Sequence, residues 1–341
     1  MTAGGAERAG TRRVGLLVRR RREQVPVTPA SIALFRLGEQ CNNACPMCSN
    51  SGRPEAARVA QAELLRRVDF LREAGLRRVV LPGGAPTIHP GFWRVVNRLR
   101  HHGMLWDINT HGRSFAAAGV AERARRRGLQ RAIVSLHSAD VEISRLMSGC
   151  SVEAHEETLA GIDGLVEAGV QVMVNCVLSR VNHRLAMSLV EFCHQRWGPG
   201  LALKFAFPTT SGKGGGWEPI HLTYAEVTGD VVEAKQRAGA LGIALHLEGF
   251  PPCVLGDATV ENTSRSGFGE SHYLDDVSGR DLYSIRFIEA EFSGYPEPCR
   301  ECSALKRCPG VSRAYMEEHG VDAFTPFAAQ GGACSEERHG D

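Results

Sequence analysis

The chain has 341 residues and a mass of 37.0 kDa, which suits about two domains or one large α/β unit with an appendage. A hydrophobic fraction of 43% excludes a disordered chain, a collagen and a small disulfide knot. Forty Lys+Arg against 38 Asp+Glu leave a net charge of +2, so the whole-chain charge makes no case for a nucleic-acid or membrane partner.

No stretch approaches ~18 consecutive apolar residues, so no transmembrane helix is expected. The first 30 residues form an Arg-rich arm (Arg8, Arg12, Arg13, Arg19 to Arg22) around the short apolar patch Gly15 to Val18. That patch lacks the length and cleavage site of a signal peptide. The arm reads as a solvated segment, with an acidic partner or RNA as the alternative. A cytoplasmic location follows as an expectation. Thiols stay reduced there, and the 11 cysteines are expected to serve as metal ligands where they cluster rather than as disulfides.

From residue 31 strand-like and helix-like runs alternate. Ile32 to Leu37, Arg78 to Leu81, Leu105 to Ile108, Ala132 to Leu136, Val170 to Leu178 and Leu201 to Phe207 read as strands. Apolar residues at helical spacing predict helices over 61–74, 91–102, 115–127, 153–168 and 184–196. Such alternation implies a parallel sheet with helices outside it. Periodicity alone leaves a doubly wound sheet and an incomplete barrel both open. Either fold gathers ligands at the C-terminal ends of its strands. A Gly-rich loop (Ser211 to Gly216), a helix (223–240) and a short strand (Ile243 to Leu247) follow. Beyond Gly249 the chain turns to Pro, Gly, Cys and charge with little periodicity, and a stretch of that kind needs a staple. The expected division is an arm (1–30), a core (31–248) and a C-terminal domain (249–341).

Cys41, Cys45 and Cys48 stand at x3 and x2 spacing in the loop after the first strand. Three thiolates so placed can each bind a different iron of a cubane and leave the fourth iron open for reaction. Buried structural cysteines or half a zinc knuckle are the alternative. CxxxCxxC in this position resembles the radical S-adenosylmethionine (SAM) superfamily over roughly residues 31–210. The resemblance implies a partial (β/α)6 TIM-like barrel. It also implies a [4Fe–4S] cluster whose open iron is chelated by SAM, and a 5′-deoxyadenosyl radical that removes hydrogen from a substrate C–H bond.

The same resemblance implies further site residues. Pro82 to Thr87 stands where the family has a GGEP turn, with Gly83 and Gly84 close to the SAM amino group and Ala85 in place of the usual acid. Asn109 to Gly112 resembles a TNG-type turn, and Asn109, Ser135 and Asn175 match positions that face SAM. For each, an ordinary hydrogen bond at the barrel mouth is the alternative.

Cys299, Cys302 and Cys308, with Cys253 upstream, resemble the auxiliary-cluster domains of SPASM or twitch type. Ser312 stands where the full SPASM motif has another cysteine. The expectation is one auxiliary [4Fe–4S] cluster on Cys253, Cys299, Cys302 and Cys308, with Cys334 held in reserve and zinc as the competing metal. Cys150, Cys176 and Cys193 are assigned no ligand role.

The implied enzyme carries out an oxidative modification or bond formation in natural-product biosynthesis on a small-molecule or peptide substrate. It draws electrons from a flavodoxin- or ferredoxin-type donor, with no membrane or nucleic-acid partner. A radical SAM maturase of a ribosomal peptide or protein side chain is the alternative, and an iron–sulfur electron carrier the non-enzyme alternative. His89, His111, His137 and Asp257 are acid–base candidates by location.

Overall fold

The computed structural model describes residues 26–28, 30–49, 59–210, 212–257, 271–274, 279–285 and 292–328. The Arg-rich arm up to Arg22 and Cys334 lie outside them. Seven parallel strands follow in order: β1 (Ile32–Leu34), β2 (Arg78–Leu81), β3 (Leu105–Thr110), β4 (Leu129–Ser135), β5 (Gln171–Val177), β6 (Ala202–Ala206) and β7 (Leu245–Glu248). They lie side by side in chain order. Beyond β1 the sheet continues with β8 (Ser271–Leu274), parallel to β1, and β9 (Leu282–Ser284), antiparallel to β8. The first six strands and their crossover helices are the partial (β/α)6 barrel, so the expected core fold stands.

The helices form because their apolar residues fall on one stripe. In α2 (Phe92–His101), Phe92, Val95, Val96 and Leu99 are all buried, the i, i+3, i+4, i+7 spacing of a packed face. The same holds for Leu64, Val68 and Leu71 of α1 (Gln61–Glu73). Between β3 and β4 the sequence predicts one helix over 115–127. The chain instead makes a 3-10 turn (Arg113–Ala116) and then α3 (Val120–Arg126), parted at Gly119, whose φ of +74° no helix accommodates.

A helix the periodicity does not announce, α4 (Val141–Ser148), follows β4. Its ends are set by caps: the Asp140 carboxylate accepts from the Glu142 and Ile143 N–H groups, and Gly149 closes it in the left-handed region. Then come α5 (Val152–Glu167), α6 (Ala186–Trp197) and α7 (Tyr224–Ala240). Thr223 and Glu226 form a capping box at the start of α7.

In-register neighbours share a face. The outward rows, such as Leu81–Ile108–Ala132–Val172, are apolar and buried beneath the helices. Of the inward rows, the lowest and the highest carry polar side chains, and the one between them, Asn109–Ile133–Met173–Ala202, is mostly apolar. At the bottom runs Val80–Asp107–Arg131–Gln171, where Asp107 is fully buried between Arg78 (2.7 Å) and Arg131 (3.3 Å) and closes the barrel floor. Higher up runs Ser135–Asn175–Lys204–His246.

The C-terminal region adds β10 (Ser293–Gly294), β11 (Val311–Ser312) and α8 (Arg313–His319). Tyr315 from this region packs against Phe207 and Tyr224 of the barrel and Phe324 against Tyr224, with Phe207 and Tyr224 stacked at 4.0 Å and Phe250 against both. Among the described residues no helix is long and apolar enough to cross a membrane.

Candidate active site

The loop after β1 carries Cys41, exposed, and Cys45 and Cys48, both half-buried. Its turn is closed by the Cys48 N–H donating to the Cys45 carbonyl at 3.3 Å. The three thiols lie near enough to influence one another. Burial, then the charges of Cys48 and Cys41, push the Cys45 thiol up to about 12. Burial raises Cys41 as well, and Arg113 works in the opposite direction. Bringing three thiols together in a half-buried loop therefore disfavours their thiolate forms, a penalty that a bound cation removes.

Two segments hold this loop from outside. After β3, a His111 ring nitrogen (Nε2) pairs with Asn42 Oδ1 at 2.7 Å. Arg113 donates through Nη1 to the Asn42 carbonyl (3.1 Å) and Asn43 Oδ1 (3.2 Å), and through Nε to Glu157 of α5 (2.6 Å). Burial first, then the Arg113 charge, pushes His111 down to about 4, so the ring is neutral and Nε2–H is the donor. At the other side the α4–α5 corner closes in. Cys45 Sγ lies 3.4 Å from the Ser148 carbonyl, and a Cβ on Gly149 would sit 2.3 Å from the Ala44 carbonyl oxygen.

The turn after β2 is bound to the cysteine loop through its backbone. Gly84 N–H donates to the Gly38 carbonyl (3.3 Å) and Ala85 N–H to the Gln40 carbonyl (2.6 Å). A Cβ on Gly84 would stand 2.2 Å from the Gln40 carbonyl oxygen, so only glycine permits this approach.

Between these loops and the upper strand ends lies a cavity of about 950 Å³. All eight barrel residues singled out by the motifs line it: Cys41, Cys45, Cys48, Gly83, Gly84, Asn109, Ser135 and Asn175. The Asn109 and Asn175 Oδ1 atoms are buried without a hydrogen-bond partner. His111 and His137 also line the cavity. The Val177 N–H donates to His137 Nδ1 (3.2 Å), which leaves the ring proton on Nε2, and burial pushes this ring down to about 4.

His89 and Asp257 do not line the cavity. His89 bonds the Gly91 N–H (3.0 Å) and the Val59 carbonyl (3.2 Å), and Asp257 pairs with Lys235 at 3.5 Å. The motifs also pass over two residues that do line it, Lys204 of β6 and Glu248 of β7, paired at 2.5 Å. A signal existed, since Lys204 is one of only four lysines among 40 basic residues and falls in a strand. Arg113 was missed because its role depends on a loop remote in sequence.

The second cysteine group lies within mutual electrostatic reach. Cys253 follows β7, Cys299 lies in a 3-10 turn (Glu297–Glu301), and all four of Cys253, Cys299, Cys302 and Cys308 are half-buried. Burial, then the charges of Cys253, Cys308 and Cys302, push Cys299 up to about 11. The Cys253 and Cys308 charges also reach the buried Tyr224, which places this group against the aromatic seam. Among the described residues no three His, Cys, Asp or Glu side chains converge on a single metal ion; a cubane spreads its ligands over separate irons. Cys176 and Cys193 are buried apolar packing, as their strand and helix positions suggested.

Residues 35–193 match the radical SAM superfamily. A probable GTP 3′,8-cyclase of Thermococcus kodakarensis is 29% identical over 170 residues, covering 49% of this chain and 53% of that protein. The chain thus spans about half the length of such curated relatives. Among solved structures, Streptococcus suis SuiB bound to precursor peptide SuiA has a TM-score of 0.61 at 12% identity, covering 89% of this chain and 75% of that one. Native anSMEcpe with bound AdoMet has a TM-score of 0.60 at 13% identity, covering 88% and 92%. At these identities the likeness to the solved structures is one of fold.

Proposed function

We propose, on the match of residues 35–193 to the radical SAM superfamily, that this chain is a radical SAM enzyme that modifies a side chain of a peptide or protein. The observation that carries the radical SAM reading is a loop of three thiols opening on a cavity whose walls hold two buried, unpartnered amide oxygens. The residues present fit SAM and a cluster. Cys41, Cys45 and Cys48 would hold a [4Fe–4S] cluster and leave one iron open. The Gly83–Gly84 turn leaves space for the amino end of SAM. Asn109 and Asn175 lack donors that the ammonium and ribose hydroxyls of SAM possess, and Ser135 lies in register with Asn175. When bound, cluster and SAM supply a one-electron cleavage of the sulfonium and a 5′-deoxyadenosyl radical that takes hydrogen from carbon. The chain's own part is to fix the thiol loop through Arg113 and His111, to present neutral His111 and His137, and to hold the substrate.

Cys253, Cys299, Cys302 and Cys308 would hold one auxiliary [4Fe–4S] cluster. Four thiolates close such a site and suit it to electron uptake, which favours a net oxidative outcome. A flavodoxin- or ferredoxin-type donor would reach the first cluster from the side of exposed Cys41. The peptide reading draws support from the fold likeness to SuiB, which extends well beyond residues 35–193. A small-molecule substrate in natural-product biosynthesis is the second reading, favoured by the sequence likeness to GTP 3′,8-cyclases.

The test is to incubate anaerobically reconstituted protein with SAM and dithionite and measure 5′-deoxyadenosine. Wild type is expected to form it and Cys45→Ala is not; equal amounts from both would sink the enzyme reading. Metal analysis is expected to give about eight irons per chain, falling by half in Cys299→Ser. About four irons plus one zinc would place zinc in the second site.

A further inference from the structure

The cavity wall is nearly bare of cations. Among the described residues that line it, the one Lys or Arg is Lys204. The carboxylates are Glu39, held by Arg36 at 2.6 Å, and Glu248, held by Lys204 at 2.5 Å. Lys204 is half-buried, with 14% of its side chain exposed, while 42% of Glu248 remains open. Lys204 sits in the polar inward row beside Asn175 and His246. In sheet order this is five strands from the cysteine loop on β1. The volume of about 950 Å³ stands near the top of the range for single-ligand sites. That volume leaves space for a substrate segment beside SAM, next to the Asn175 that SAM would meet.

The pair's own chemistry defines what it can take. An ammonium has three donors, and here one goes to Glu248. A carboxylate accepts at up to four lone-pair sites. The two groups cancel in charge, yet donors remain at one end and acceptors at the other. The complement is an uncharged group with an acceptor and a donor side by side, as the carbonyl and N–H of a single extended peptide residue are. A nucleoside triphosphate is a poor match, because phosphates are held by several Arg or Lys side chains, metal ions or backbone nests, and this lysine is already neutralised.

We propose that Lys204 and Glu248 clamp one extended residue of a peptide segment, with that residue's carbonyl on Lys204 Nζ and its N–H on Glu248, and so set which residue of the segment meets the reactive end of SAM. This rests on the cavity holding SAM and substrate together. It names a class distinct from the nucleotide in the curated relatives' names. The clamp adds no charge to the barrel, so the ion pair stays compensated when substrate binds.

The experiment is binding to the reconstituted holoprotein with SAM present. Three probes are used: an equimolar library of N-acetylated, C-amidated pentapeptides, GTP with magnesium, and the twenty free amino acids. Retained molecules are identified by mass spectrometry. Blocked peptides are expected to be retained saturably, and about tenfold more weakly by Lys204→Met and by Glu248→Gln, the loss of one buried hydrogen bond to a charged group. GTP and free amino acids are expected at background. Iron content and the melting curve of each variant establish that it is folded and loaded.

The clamp is overturned by no peptide retention, by peptide retention equal in wild type and both folded variants, or by preference for GTP or free amino acids. 5′-deoxyadenosine is measured on the same samples. Wild type that makes none refutes the SAM reading, while the binding arms still report on the clamp.

Discussion

Arg113 reaches three partners at once: two atoms of the cysteine loop and Glu157 of α5. Its guanidinium keeps a fixed fork with no freedom to lose its charge, so it serves as a rigid strut between the helix layer and the thiols. Opposite it, Gly149 sets how near the α4–α5 corner can come. With φ at +56° and a Cβ that would meet the Ala44 oxygen at 2.3 Å, alanine there is strained twice. The backbone term alone is about 1–2 kcal/mol, and the clash moves the loop. Gly149→Ala is expected to leave circular dichroism close to wild type while the visible absorbance of the reconstituted first cluster falls several-fold. Wild-type absorbance in that variant would mean that the loop is not built against this corner. None of this was legible in the sequence. CxxxCxxC is a local pattern and marks the proposed ligands, whereas the residues that hold their loop follow β3 and α4, and local spacing carries no record of that contact.

Elements with a strong apolar stripe matched their expected bounds to within a residue or two, as α2 does (91–102 expected, Phe92–His101 observed). Elements defined by caps or by distant partners did not. α4 buries Ser144, Met147 and Ser148, and its short apolar pair, Ile143 and Met147, packs on Met47 and Ile220, too little periodicity to announce a helix that Asp140 and Gly149 bound. β8 has its partner β1 at the far end of the chain.

The link between α8 and the barrel is likewise a matter of single contacts. His221 Nδ1 meets Glu318 of α8 at 2.7 Å, and His221 Nε2 meets the Gly215 carbonyl at 3.1 Å. Glu318 foremost, then the Gly215 carbonyl, raise the His221 pKa, with Glu218 adding a smaller charge effect. His221 therefore holds its proton more tightly folded than unfolded. The contribution is fully present below the ordinary histidine value of about 6.5 and is lost as pH rises through the raised folded-state value. Amide exchange in α8, corrected for its intrinsic pH dependence, is expected to speed up across that interval in wild type and to show no such step in His221→Gln. A step of equal size in both would remove His221 from the latch.

Across the whole molecule the charge balance of +2 hides an ordered arrangement. Ions close the barrel floor at Asp107, thiols gather at two places near its mouth, and an aromatic seam from Phe207 to Phe324 joins barrel and C-terminal region. The division into core and C-terminal domain was read from a change in composition near residue 248. Composition could not reveal that residues 271–274 return to the sheet beside β1.

That return sets a schedule for synthesis. β1 leaves the ribosome early and bears the cysteine loop, yet its outer edge is covered only when β8 arrives, after every other parallel strand has been made. Until then the nascent sheet offers an unpaired strand edge, the kind that recruits other chains. A chain ended at Asp257 keeps β1 to β7 and should associate through that edge, visible as large species in size-exclusion chromatography; a monodisperse monomer would contradict this. The thiol loop therefore hangs from a half-bordered strand until β8 is made, so its own strand is among the last to be enclosed.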